Sequence, residues 1–387
     1  MAVIKNKKKK IAYVSGTRAD FGLMVPVLQA ICKSKKLELR MYATGIHLMP
    51  EFGETINEIR KEFSDTVAID AVFDTDNRLG MADFTGYFLQ NVIKVFKNDR
   101  PDFVLTLGDR PEMLCVAVAC LYLGIPTGQI HGGEKSSTVD ELARHAITKL
   151  SSIHFPATEE SARRIEKMGE EKKRIYTVGA PAIDVILNEK LPAREELCRF
   201  LNLNPKDKII LLTQHPVSEE YDKAGEQMKE SIAAVKTFNL PVVITYPHAD
   251  AGGRRIIKVI EKERNNPLFR IISNLGHKRF LALEREAAVW IGNSSGAMIE
   301  SSSFRTPVVN VGTRQKGRQH GNNIINTGYD RKEIIAAINK SLNDSKYIGK
   351  LSKINNPYGD GKTGARIVKI LENLKLDKKL LIKQITY

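Results

Sequence analysis

The sequence predicts an α/β fold: two Rossmann-like domains that face each other across a cleft. Three observations predict it. Short β-branched runs alternate with helix-length amphipathic segments along the chain, the pattern of parallel sheets assembled from βαβ units. The alternation breaks at a polar stretch from Asn188 to Pro205 that contains two prolines. On both sides of the break, strand-like runs end in glycine or polar clusters that carry ionisable residues, the place where open parallel sheets bind ligands.

In chain order, the first half gives strands at IAYVSG, LELRMYATG, FVLTLG and PTGQIHGG, whose ends bear Arg18, His47, Asp109 and His131. The second half gives KIILLTQ, PVVITYP, FRIIS, AAVWIG and PVVNVG, whose ends bear His215, His248, Asn293 to Ser295 and Arg314. The break separates a domain over residues 1–187 from one over 206–363. A last helix over 364–387 carries Ile367, Ile370, Leu371 and Leu374 on one stripe.

Composition narrows the function. A chain of 387 residues with 42% hydrophobic content has room for two cores. Its net charge of +15 resembles that of a nucleic-acid binder, but each end contributes 5 of those charges and the long middle holds the remaining 5. With no recognition-helix or RNA-binding aromatic motif, nucleic acid is not the expected partner. A mildly basic middle suits an anionic small molecule. Four cysteines without CxxC spacing point to buried, reduced thiols and not to a zinc site or disulfide framework. The basic N-terminus leads straight into a strand, so neither a signal peptide nor membrane insertion is expected, and the expected compartment is the cytoplasm.

Six stretches can carry chemistry. In SGTRADFG a strand turns through Ser15, Gly16 and Thr17 into a helix expected near Gly22. Such a turn offers amides to an anion, with Arg18 adding a bidentate phosphate contact, unless Asp20 merely caps the helix. In TLGDRPEML, Asp109 either caps the following helix or works beside Arg110. HGGEKSSTVDELARHAI is the most informative. His131 and Glu134 bracket a Gly-Gly turn, and Asp140 opens a helix that carries Arg144 and His145. Carboxylates clustered in a cleft push one another's pKa values apart, so one serves as base and another as acid; the alternative leaves Asp140 and Arg144 as a surface pair. In LLTQHPVSEE and YPHADAGG, His215 and His248 stand at strand ends, either structural or facing the ligand. Finally, IGNSSGAMIE runs Asn293, Ser294, Ser295 and Gly296 into a helix, where hydroxyls and amides meet a diphosphate and Glu300 accepts from ribose hydroxyls, unless the serines only cap.

Taken together, GTRADFG, TGIHLMPEFG, LGDRPE, HGGE with DELARHAITKLS, VGAPAID, GNSSG, GTRQKGR and NPYGDGKTGARI resemble, in order and over nearly the whole chain, the hydrolysing UDP-N-acetylglucosamine 2-epimerases of sialic acid biosynthesis. The resemblance implies a glycosyltransferase-B-like fold with the last helix packed on the first domain. It implies no metal and no redox cofactor, and a homodimer or homotetramer. UDP would be surrounded by Arg18, Ser294, Ser295, Glu300 and Arg314, with Arg110 near the nucleotide sugar. Acid and base roles would fall to Asp109, Glu134 and Asp140, and His215 would lie near the phosphates or the sugar. Some relatives carry Glu where this chain has His131, which adds His131 to the acid–base candidates.

The implied reaction takes UDP-N-acetylglucosamine to N-acetylmannosamine and UDP through a 2-acetamidoglucal. Its alternatives are the same chemistry on a UDP-2,4-diacetamido-6-deoxy sugar in legionaminic acid synthesis, a glycosyltransferase on the same fold, or a silent nucleotide-sugar binder. The three carboxylates argue against the last, because a binder of an anionic ligand has no need of them.

Overall fold

The computed structural model describes residues 7–75, 77–136 and 139–387. Its first sheet contains β1 (Lys9–Ser15), β2 (Leu37–Ala43), β3 (Val67–Ala68), β4 (Phe103–Leu107), β5 (Thr127–Ile130) and β6 (Ile153–Phe155), in the order β3-β2-β1-β4-β5-β6. The second contains β7 (Ile209–Thr213), β8 (Val242–Thr245), β9 (Phe269–Ile272), β10 (Ala287–Gly292), β11 (Val308–Val311) and β12 (Ile324–Thr327), in the order β12-β11-β10-β7-β8-β9. All neighbouring strands pair parallel. Each sheet is therefore wound outward on one side of its first strand and then on the other. That winding opens a crevice at the carboxyl ends of β1 and β4, and a second one at those of β7 and β10.

The central strands are apolar throughout because helices cover both of their faces. Ile11 and Tyr13 of β1 enter one buried cluster while Ala12 and Val14 enter another. Likewise Ile210 and Leu212 of β7 face one cluster, and Ile209 and Leu211 the other. This is the period of two expected of a strand.

Sequence patterning missed β3, β6 and β12. All three are edge strands of two to four residues, and both residues of β3 are exposed. The cysteine expectation holds in part: Cys115, Cys120 and Cys198 are buried free thiols, but Cys32 is exposed near the end of its helix.

The helix Thr363–Asn373 returns to the first sheet's side of the molecule. The amides of Thr363 and Gly364 donate to the Asp184 carboxylate at 2.8 and 2.7 Å. At the helix's other end, Lys9 Nζ donates to the carbonyl oxygens of Leu371, Glu372 and Leu374 at 2.7–3.0 Å. Both ends of the helix are thus capped by side chains from elsewhere.

One glycine decides the geometry of the second crevice. Gly292 ends β10 at φ +130°, and a Cβ there would fall on the Thr213 carbonyl of β7, its register partner. We expect Gly292→Ala to cost about 3 kcal/mol, from strain plus overpacking. Urea unfolding would measure it, and a midpoint equal to that of the parent would contradict it. Among the described residues, no helix is long and apolar enough to cross a membrane.

Candidate active site

Turns at the carboxyl ends of strands from both sheets converge on two adjoining cavities of about 190 and 100 Å³. Ala19, Leu23, His248 and Ser295 line both.

At the first turn the structure differs from expectation in two ways. The helix begins at Arg18 and not near Gly22, with Thr17 as its N-cap in a capping box with Asp20. Moreover, the amides of Gly16 and Thr17 are already taken, because both donate to Asp20 Oδ2 at 2.9 and 3.0 Å. An anion here would meet the Arg18 guanidinium and not the turn. Arg18 is half-buried, and desolvation lowers it to about 10, so it stays cationic at neutral pH. Burial pushes the Asp20 carboxyl up to about 7, against the hydrogen bonds from Ser15 and the turn amides.

His47, expected at the ligand, is fully buried and spends both ring nitrogens inside the protein. Nε2 lies 2.8 Å from Ser15 Oγ and Nδ1 2.7 Å from Thr55 Oγ1. Burial lowers it to about 3, hence neutral. Its role is to brace the wall of the larger cavity. On the helix Arg18–Lys33, Gly22 has no room for a Cβ, which would strike the His277 ring from the second domain.

At the second turn Asp109 is not a helix cap: the N-cap is Arg110, without a side-chain bond. Asp109 instead pairs with Arg144. Burial raises its pKa, but the charges of Arg144, Arg318 and Arg314 outweigh burial and hold it below the usual carboxylate range. Arg110, expected near the sugar, is engaged by protein. Its Nη1 and Nη2 lie 3.1 and 2.9 Å from the Asp250 carboxylate across the cleft, and its Nε 3.3 Å from Glu112.

The third turn holds the densest chemistry. His131 adopts φ +61°, a strained conformation for a residue with a Cβ, and Gly133 follows at φ +74° against Ser161. His131 Nδ1 bonds to Glu134 Oε1, while its buried Nε2 has no hydrogen-bond partner among the described residues. The other oxygen of Glu134 faces Arg318 Nη2 of the second domain at 2.8 Å. Burial raises Glu134, yet His131 and Arg318 outweigh it and bring it down to about 2. Arg144, another expected substrate contact, points inward from the helix Val139–Leu150. It binds Asp109, the Glu134 carbonyl at 2.9 Å and Ser136 Oγ at 3.2 Å, and so positions the carboxylates. Asp140 is half-buried, with Arg314 Nη2 at 3.7 Å. Burial first, then the Asp109 charge, push it up to about 6 against the pull of Arg314.

Across the cleft, His215 stacks on His248 with ring centroids 4.2 Å apart. The His248 amide donates to His215 Nδ1 at 3.2 Å. Burial drives both rings well below the usual histidine range, so both are neutral. A neutral His215 whose Nδ1 accepts keeps its proton on Nε2, available as a donor.

Asn293, expected at the ligand, grips the His215 backbone instead: Oδ1 accepts from its amide at 2.7 Å and Nδ2 donates to its carbonyl at 2.9 Å. Ser294 caps the short helix Ser295–Ile299. Ser294, Ser295 and Glu300 line the larger cavity. Burial raises the Glu300 carboxyl, and it shares a buried contact with Glu284, whose own carboxyl burial drives far up.

The structure thus brings Asp109, His131, Glu134, Asp140, Arg144 and Arg314 to the smaller cavity, and Arg18, His215, Ser294, Ser295 and Glu300 to the larger. Sequence reading missed Arg318 and Gln315. The signal was present in the Arg-x-x-x-Arg spacing of TRQKGR.

Comparison with known proteins fits this geometry. A family model described as UDP-N-acetylglucosamine 2-epimerase matches residues 29–372. A UDP-N,N'-diacetylbacillosamine 2-epimerase (hydrolyzing) of Legionella pneumophila is 40% identical over 97% of this chain and 98% of its own. The UDP-N-acetylglucosamine 2-epimerase of Neisseria meningitidis is 32% identical over 88% of this chain and 89% of its own. Among solved structures, Staphylococcus aureus MnaA with UDP superposes with a TM-score of 0.78 at 21% identity, covering 94% of this chain and 96% of that one.

Proposed function

Because the chain belongs to the UDP-N-acetylglucosamine 2-epimerase family, we propose that it is a hydrolysing 2-epimerase whose substrate is a UDP-2,4-diacetamido-6-deoxy sugar of the diacetylbacillosamine type. The observation that carries the choice of sugar is the 40% identity, nearly end to end, to an enzyme named for that substrate, against 32% to one named for UDP-N-acetylglucosamine. The smaller cavity is consistent with it. Leu23, Leu107 and Ile299 give its lining an aliphatic part, which suits a methyl group at C6 better than a hydroxymethyl.

In this reading the C1–O bond breaks and carries its electron pair to UDP, a base takes the C2 proton, and the 1,2-unsaturated 2,4-diacetamido-6-deoxy glycal remains. Water then adds its hydroxyl at C1, and a proton returns to C2 from the opposite face. Departure of UDP must lead, because the C2 proton is only weakly acidic. Arg18, the Ser294–Ser295 turn and the Nε2 proton of His215 stabilise the departing diphosphate. The C2 proton calls for the strongest carboxylate base that is still ionised at neutral pH, and Asp140, tuned up to about 6, meets that description. Asp109 and Glu134, both held ionised, and His131 beside them serve the hydration step.

UDP release measured side by side on the two UDP-sugars tests the substrate. We expect kcat/KM to favour the 2,4-diacetamido-6-deoxy sugar by about 10²-fold, the scale of a pocket matched to one substituent. Preference for UDP-N-acetylglucosamine would return the chain to sialic acid-type synthesis.

A further inference from the structure

We propose that Arg318 is a positioning residue for the acid–base step: it reaches across the cleft from the second domain and holds the Glu134 carboxylate in its working orientation only when the domains are closed. The proposal rests on the elimination and hydration reading above.

Glu134 follows a turn of a strained His131 and two glycines, which by itself leaves the side chain several orientations. His131 fixes Oε1. Arg144 holds the residue's carbonyl and not its carboxylate. Oε2 is left to Arg318, at 2.8 Å, and both side chains are almost wholly buried. The groups that face Glu134 are His131 from its own turn, Arg144 from the helix behind, Arg318 from the turn after β11, and the Tyr358 phenol, which feels the Glu134 charge. Of these, Arg318 alone comes from the second sheet's turns.

Arg318 is also tied to the nucleotide side. Its Nη1 donates to Gln315 Oε1 at 3.0 Å, and Gln315 Nε2 donates to the Asn293 carbonyl at 2.9 Å. Arg314 donates to the same carbonyl at 3.2 Å. Asn293 in turn clasps the His215 backbone and leads into Ser294 and Ser295. The segment that would meet the diphosphate and the guanidinium that fixes Glu134 therefore move as one piece. Closing the cleft delivers both, and opening it withdraws both. Arg318 lines the smaller cavity but not the larger, so it acts on the sugar end without touching the nucleotide.

Arg318→Met and Arg318→Lys test this. We expect Arg318→Met to lower kcat by about 10²-fold, the scale of a misplaced reacting group, with UDP affinity by calorimetry near that of the parent. Arg318→Lys should recover about tenfold, because it restores the charge without the fork. The carbon-13 carboxyl signal of Glu134, assigned by its loss in Glu134→Gln, should titrate at higher pH in Arg318→Met than in the parent. This readout does not depend on which sugar turns over, or on turnover at all. An unmoved titration, or a loss of UDP affinity in proportion to kcat, would overturn the proposal. A parent that turns over neither UDP-sugar counts against the proposed function alone, and the titration then decides the role of Arg318.

Discussion

Asp140→Asn lowers kcat by about 10³-fold, the usual contribution of a positioned general base, while UDP binds no more weakly than to the parent. The two halves of this expectation come from the same contacts. Asparagine keeps the shape of the side chain and removes the base, so the chemical step loses its proton acceptor. Arg314, 3.7 Å from Asp140 in the parent, loses a competing anion and becomes freer to meet the diphosphate. The pH dependence follows from the sign of the shift. A base works ionised, so the contribution of Asp140 is present above its raised value of about 6 and is lost as pH falls through it. Steady-state kcat/KM between pH 4.5 and 9 reads it out. An Asp140→Asn enzyme with parental kcat and the same acid limb would remove Asp140 from the chemistry.

Arg18→Ala has the second large effect, and it falls on binding. We expect the Kd for UDP to rise about 10²-fold, the equivalent of one or two charge-assisted hydrogen bonds at about 1.5–3 kcal/mol each. Uridine, which lacks the diphosphate, should bind both proteins alike. Asp20 occupies the amides of Gly16 and Thr17. With those donors taken, the turn after β1 meets an anion through Arg18. Calorimetry with both ligands checks this, and an equal loss for uridine and UDP would mean that Arg18 shapes the cavity instead of meeting the phosphates.

What the sequence revealed and what it hid have separate physical causes. Strand ends were legible because central parallel strands are apolar throughout and end abruptly in glycine and polar residues, so Arg18, Asp109, His131, His215 and Asn293 could be placed at crevices before any fold was known. The partner of each polar group was not legible. Asp109 is satisfied by Arg144, Arg110 by Asp250, and Glu134 by Arg318. The last two pairs lie across the cleft, between residues far apart in the chain, where no spacing rule applies. Asp20 shows the same limit at short range. A capping residue was anticipated there, but not that its carboxylate would also absorb the turn amides offered to a ligand. Of the residues expected to touch substrate, His47, Arg110 and Arg144 line the cavities while also bonding to other protein groups, and Asn293 clasps the His215 backbone.

The central claim is elimination of UDP followed by hydration with inversion at C2. Proton NMR of the protein with UDP-2,4-diacetamido-6-deoxy sugar in deuterated water tests it most directly. The account predicts free 2,4-diacetamido sugar of inverted C2 configuration, carrying deuterium at C2, together with one equivalent of UDP. A product that keeps its C2 proton, or UDP released with an unchanged C2 configuration, would contradict it.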